Sequence, residues 1–147
     1  MKALTVYQPF ATLLLLTDCT GERAKIFETR PETCTWLSYR GPVAIHAGKS
    51  QDFMHLCDKE PFRSTLARHG LSKDDLVFGA VIGEVIMDYV LRTEEMGRPR
   101  FEHEAEFGNF APGRVAIHTR SPVLYEQLVP ARGQQGLWNW DGEIDGS

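Results

Sequence analysis

Short apolar stretches separated by polar, glycine-containing turns run along the chain, and their periods predict its elements. Residues 3–7 alternate weakly and predict a short strand. Pro9 stands where a helix can begin, and residues 10–17, with the apolar run 13–16, predict a buried helix. Residues 18–24 are polar, contain Gly21 and predict a loop, and residues 25–30 predict a short extended segment rich in charge. Residues 42–47 form the clearest strand, entered by a turn at Arg40-Gly41. Gly48-Lys49-Ser50 follows, with Ser50 as a helix N-cap. Pro61 opens a further helix that Gly70 ends, and residues 72–75 start a capping box. Residues 78–90 are a long β-rich run in which Gly79 and Gly83 predict bulges or bends. Residues 92–111 are polar and irregular. Residues 114–125 predict a strand pair or one bent strand interrupted at Pro122, and residues 129–140 are rich in Gly and Trp.

Strands and helices mixed along 147 residues, with no repeat and no linker, predict one α+β domain over 1–140 and a flexible tail over 141–147. A hydrophobic content of 42% beside 24% charged residues is that of an ordinary globular chain. The run 13–16 is far shorter than the ~20 apolar residues of a membrane span. Asp18 closes it and no small-residue cleavage site follows, so the expectation is a cytoplasmic protein. The net charge of −4 changes the functional picture. A protein that coats duplex DNA is normally basic, so nucleic-acid contact here requires a local basic cleft suited to a short strand or single nucleotide. Cys19, Cys34 and Cys57 are odd in number and form no Cys-x-x-Cys pair, which predicts neither a disulfide framework nor a zinc site. His55-x-Cys57 reads as an exposed histidine beside a buried cysteine rather than two metal ligands. No metal and no cofactor are expected.

Three segments, taken in order, resemble the ASCH family of the PUA-like superfamily. They are Tyr7-Gln8-Pro9-Phe10-Ala11, then Lys25-Ile26-Phe27-Glu28-Thr29-Arg30 in the pattern Lys-x-x-Glu-x-Arg, then residues 130–138. Residues 40–47 follow the second segment at ten residues, and residues 78–83 and 112–114 fall between the last two. The resemblance implies a small mixed β-barrel with flanking helices and a cleft lined by the motif segment. Relatives include RNA-binding modules, readers of modified bases, and small enzymes acting on RNA or modified nucleosides. The pattern usually has a glycine two residues before the lysine. Here that residue is Arg23, so the loop entering the motif is expected to be longer or differently bent.

The candidate site is a mixed-charge cleft around Lys25, Glu28 and Arg30. In an extended segment Glu28 and Arg30 share a face with Lys25 opposite, whereas a turn after Lys25 would bring all three together. Arg30 would grip a phosphate or base edge through its rigid fork, with Lys25 as a point charge and Arg40 completing the cleft. Tyr7 and Trp36 are candidate stacking residues, whereas Phe10 and Trp138 read as core. Ala47-Gly48-Lys49-Ser50 imitates the end of a P-loop, but Val43 stands where that loop needs glycine. Lys49 is kept only as a single phosphate contact. His46 and His118 read as hydrogen-bonded histidines within strands.

Three functions compete. The first is binding of single-stranded RNA or a nucleotide. The second is hydrolysis of RNA, or of acylated cytidine by the lysine, threonine and glutamate of some ASCH-like proteins. Lys25 matches that lysine, Glu28 stands in place of the threonine, and Glu84 is the candidate glutamate. A carboxylate beside Lys25 is expected to keep it protonated and a poor base. The third is a protein-interaction module in transcription.

Overall fold

The computed structural model describes residues 1–99 and 103–142. Of the expected tail, 143–147 lies outside the described residues, as does 100–102 of the irregular stretch. The elements are β1 (Lys2–Val6), α1 (Phe10–Leu15), β2 (Phe27–Pro31), β3 (Gly41–Ala47), a 3-10 turn (Met54–Asp58), α2 (Phe62–Arg68), a second 3-10 turn (Lys73–Asp75), β4 (Ala80–Arg92), the single turn α3 (Thr93–Met96), β5 (Arg114–Pro130) and β6 (Leu137–Asn139). Among the described residues no helix is long and apolar enough to cross a membrane.

The six strands form one mixed sheet in the order β2-β5-β4-β3-β1-β6, curled into a half-barrel. Among the described residues only β1 and β3 run parallel. This pairing needs a crossover, which α1 begins and β2 continues. Five of the six α1 residues are buried. The helix covers the concave face, where Leu14 and Leu15 pack with Leu4, Val6, Val43, Ile45, Ile82, Val85 and Ile117. A second cluster joins α1 to α2 through Leu13, Phe62, Leu66 and Phe107. The opposite sheet face carries Ala3, Ala44, Val81, Trp138 and Trp140.

The curl needs local devices. Gly83 lies so close to its surroundings that a Cβ there would sit 2.3 Å from the Val123 carbonyl oxygen and 2.6 Å from Leu15. The register of β4 on β5 shifts three times, at Val81/Gly83, Glu84/Ile86 and Met87/Tyr89. Each shift adds bend and twist to strands that would otherwise run flat. The strand over 114–125 is therefore one bent strand that continues to Pro130, with Ser121 at φ 53° at the bend.

One local reading changes. The Ser50 hydroxyl accepts the Asp52 amide at 3.2 Å and makes a turn, while the 3-10 turn after it starts only at Met54. His55 is exposed and Cys57 buried on that turn. Ser72 and Asp75 form the expected capping box.

Candidate functional site

The chain bends at Ala24 and enters β2, which pairs with β5 so that Glu28 lies opposite Ile117 and Arg30 opposite Val115. Opposed residues share a face, so Glu28 and Arg30 point to the concave side with the core residue Ile117. The Arg30 guanidinium pairs with the Glu28 carboxylate at 2.8 Å. Its Nη2 also donates to the Thr5 carbonyl of β1 at 2.9 Å. In the sheet order β2 and β1 are separated by three strands, so this bond spans the open side of the half-barrel. Arg30 also lies 5.8 Å from the Trp36 ring centroid, within cation–π range. Its side chain is 24% exposed and that of Glu28 9%. Among the described residues Arg30 Nη1 has no hydrogen-bond partner.

Lys25 lies beneath this pair and is 1% exposed. Its amine donates to the Phe27 carbonyl. Burial is the dominant influence and holds the amine below the ordinary lysine value, against the opposing pull of Glu28 and Glu104. The neighbouring carboxylates favour the protonated form, as expected, but desolvation outweighs them and sets the direction of the shift.

Glu104 is the residue that sequence reasoning missed. It is wholly buried. Its carboxylate accepts the Ile26 amide at 3.0 and 3.1 Å and the Phe27 amide at 2.7 Å. It therefore fixes the backbone of the motif from a turn 77 residues downstream. Nothing local marks it, since its partners are distant in sequence.

Arg23, standing where the resembling pattern has glycine, is part of the same construction. Nη2 donates to the Leu14 carbonyl at 2.9 Å and to the Thr119 hydroxyl at 2.8 Å, and Nη1 donates to the Thr119 carbonyl. The Thr119 hydroxyl donates in turn to the Ile26 carbonyl at 2.6 Å. Burial pushes Arg23 down to about 10. The entering loop is thus tied to α1 and β5 by a side chain that glycine lacks.

The remaining candidates make further contacts of their own. Arg40 is exposed and folds onto the Leu37 and Tyr39 carbonyls of its own turn. Glu84 lies opposite Ala44 and Val123, on the other sheet face from Glu28. It accepts the Tyr125 hydroxyl at 2.7 Å. Burial and this carboxylate raise the Tyr125 phenol above its ordinary value. Glu84 and Lys25 therefore do not converge: Glu84 is on the sheet face away from Glu28, whereas Lys25, which precedes β2, lies near Glu28, Arg30 and Glu104. Tyr7 is 46% exposed, follows β1 and stacks on Phe53 at 6.0 Å. Trp36 is half-buried beside Gly136. Lys49 is exposed and lies along Gly79. His46 bridges the Thr5 hydroxyl at 3.1 Å and the Ala131 carbonyl at 2.7 Å, and His118 meets Asp88 at 2.7 Å. Phe10 and Trp138 are packed in the core. Among the described residues no three His, Cys, Asp or Glu side chains stand together to hold a metal ion.

The curled mixed sheet with few helices is an α+β fold of the PUA-like type. No family model matches the sequence, and no curated protein does. The crystal structure of ASCH from Zymomonas mobilis superposes with a TM-score of 0.52 at 13% identity, over 95% of this chain and 87% of that one. The crystal structure of a point mutant of the same protein gives 0.51 at 14% identity, over 95% and 88%. The chain has the ASCH-domain fold.

Proposed function

We propose that this ASCH-type domain binds single-stranded RNA or a nucleotide, which can be a modified one, at the mouth of the half-barrel. The observation that carries this reading is the Arg30 guanidinium. It is fixed by Glu28 and by the Thr5 carbonyl, lies near the Trp36 ring, and is still a quarter exposed. A planar fork held in place loses little freedom when a phosphate or base edge takes its free edge. The Trp36 ring beside it supplies a stacking surface of a kind that tolerates any base. On a chain of net charge −4 such a site favours a short strand or a single nucleotide over a long duplex.

Anisotropy of a fluorescent single-stranded RNA, titrated with the protein at rising salt, tests this reading. The expected log–log slope is about −0.7 per phosphate contacted. Arg30→Ala is expected to weaken binding about tenfold, and Lys49→Ala much less. Affinity independent of salt, or equal in the two variants, would overturn the assignment.

One observation favours hydrolysis as a second reading. A buried lysine held below its ordinary value is of the kind found at catalytic sites. Its 1% exposure opposes that reading, since a substrate must reach the amine. Turnover of acylated cytidine or shortening of RNA, abolished by Lys25→Met with the fold intact, would establish the enzyme. Binding without turnover supports the module.

A further inference from the structure

Tyr7 and Phe53 are large apolar residues left exposed, at 46% and 39%, and they touch each other. Their ring centroids lie 6.0 Å apart, with the planes 27° from parallel. The pair is anchored on the core. Phe53 meets Phe10 edge-on at 5.7 Å, and Phe10 meets the buried Phe62 at 5.9 Å. The Tyr7 ring lies against the backbone of Gly48, where a Cβ would stand 3.0 Å from Cδ1 and 3.2 Å from Cε1 of the ring. The rings are therefore held in place before any ligand arrives.

Two short links join this pair to cations. Thr5, whose carbonyl holds Arg30 at 2.9 Å, is two residues before Tyr7, so their Cα atoms are within about 7 Å of each other. The Thr5 methyl group and the Tyr7 ring also come together at Gly48. Lys49 follows Gly48, and its stem lies along Gly79. Among the described residues the Lys49 amine has neither an ion pair nor a hydrogen bond. The exposed Asp52 precedes Phe53 and opposes a phosphate at that end, which leaves the Lys49 side for one.

Fixed rings beside an unpaired ammonium suit a base and its phosphate. Any base gains from stacking, because every base has a π-face. The ammonium serves the phosphate as a point charge. A protein partner fits this patch less well. Two such rings bury at most about 500 Å² even when wholly covered. A stable protein interface needs about 800 Å² on each side.

We infer that the Tyr7–Phe53 pair stacks a second base of the strand held at Arg30, with a phosphate of that strand at Lys49. The inference rests on the reading of Arg30 as an RNA contact. It selects a strand of two or more nucleotides, rather than a single nucleotide, as the ligand of this mouth.

Calorimetric titration with uridine 5′-monophosphate and with a short oligouridylate tests it. The oligonucleotide is expected to bind about tenfold more tightly, or better. Tyr7→Ala and Phe53→Ala should each weaken the oligonucleotide about tenfold and leave the mononucleotide unchanged. Tyr7→Phe keeps the ring and should keep the affinity. Lys49→Gln should lower the log–log salt slope by about 0.7, one phosphate fewer, with a smaller fall in affinity. Melting curves check the fold of each variant, and Phe53→Ala decides if Tyr7→Ala does not fold. Equal affinity for the two ligands, or oligonucleotide binding untouched by the loss of either ring, would overturn the inference. Arg30→Ala separates the two readings. If it weakens both ligands while the ring variants change nothing, the Arg30 site stands and the platform falls. If it changes nothing, or neither ligand binds, the Arg30 site falls and the platform with it.

Discussion

Two clusters of similar chemistry lie on the two faces of the sheet around strand β5, at neighbouring positions along it. On the concave face, opposite Ile117 and Val115, a carboxylate, a guanidinium and an aromatic ring meet as Glu28, Arg30 and Trp36. On the other face His118 is stacked on Tyr89 at 4.3 Å, nearly parallel, and meets Asp88 at 2.7 Å, while Arg120 lies 3.4 Å from Asp88. The inner cluster sits over a lysine and a glutamate that are almost wholly buried, whereas Arg120 is 55% exposed. In water a charge pair is weak and replaceable. In the interior each charge needs its partner, because the penalty for stranding it is large. The carboxylate of the inner cluster is the more deeply held, Glu28 at 9% exposure against 24% for Asp88, while Arg30 and His118 are exposed to nearly the same extent.

The largest expected effect is at Glu104. Glu104→Ala strands the Ile26 and Phe27 amides and removes a carboxylate near Lys25 and Arg23. Urea denaturation should show a loss of about 3–5 kcal/mol. A loss no larger than that of a surface pair would break the distinction between the faces. Arg30→Ala comes next. It leaves the nearly buried Glu28 without its fork and opens the bond to Thr5, with an expected loss of about 1–3 kcal/mol in the same measurement.

Alkaline pH sharpens the contrast for the inner cluster. The folded Lys25 amine titrates below the ordinary value of 10.5. Between its lowered value and 10.5 the folded protein therefore binds fewer protons than the unfolded chain, so this group makes stability rise with pH there. The difference in unfolding free energy between the native sequence and Lys25→Met should shift toward the native sequence as the pH is raised. No shift would mean that Lys25 is solvated in the folded state. The smallest effect is expected outside, where Asp88→Asn should cost less than about 1 kcal/mol by urea denaturation, since the pair it breaks is partly solvated.

Much of this construction is legible along the chain. The period of residues 42–47 and 78–90, the glycines at 79 and 83, and the Pro61 to Gly70 bounds of a helix act within a few residues of one another. Local sterics are enough to place them. The motif from Lys25 to Arg30 is local as well, and so is the departure at Arg23. Alternation within β2 already puts Glu28 and Arg30 on one face.

The depth of each charge and its partners were decided only by the tertiary structure. Glu104 is unremarkable in a polar stretch until the fold brings it to the Ile26 and Phe27 amides. Lys25 carries no sign in its neighbours that it is almost wholly buried. Glu84 belongs to the face away from the motif, and the three register shifts between β4 and β5 put that parity beyond any simple count along the chain. The bond from Arg30 to Thr5 exists because the sheet curls far enough to bring β2 to β1. Residue order sets which groups alternate on a strand. Burial and long-range pairing set which of those groups meet, and with what electrostatic force.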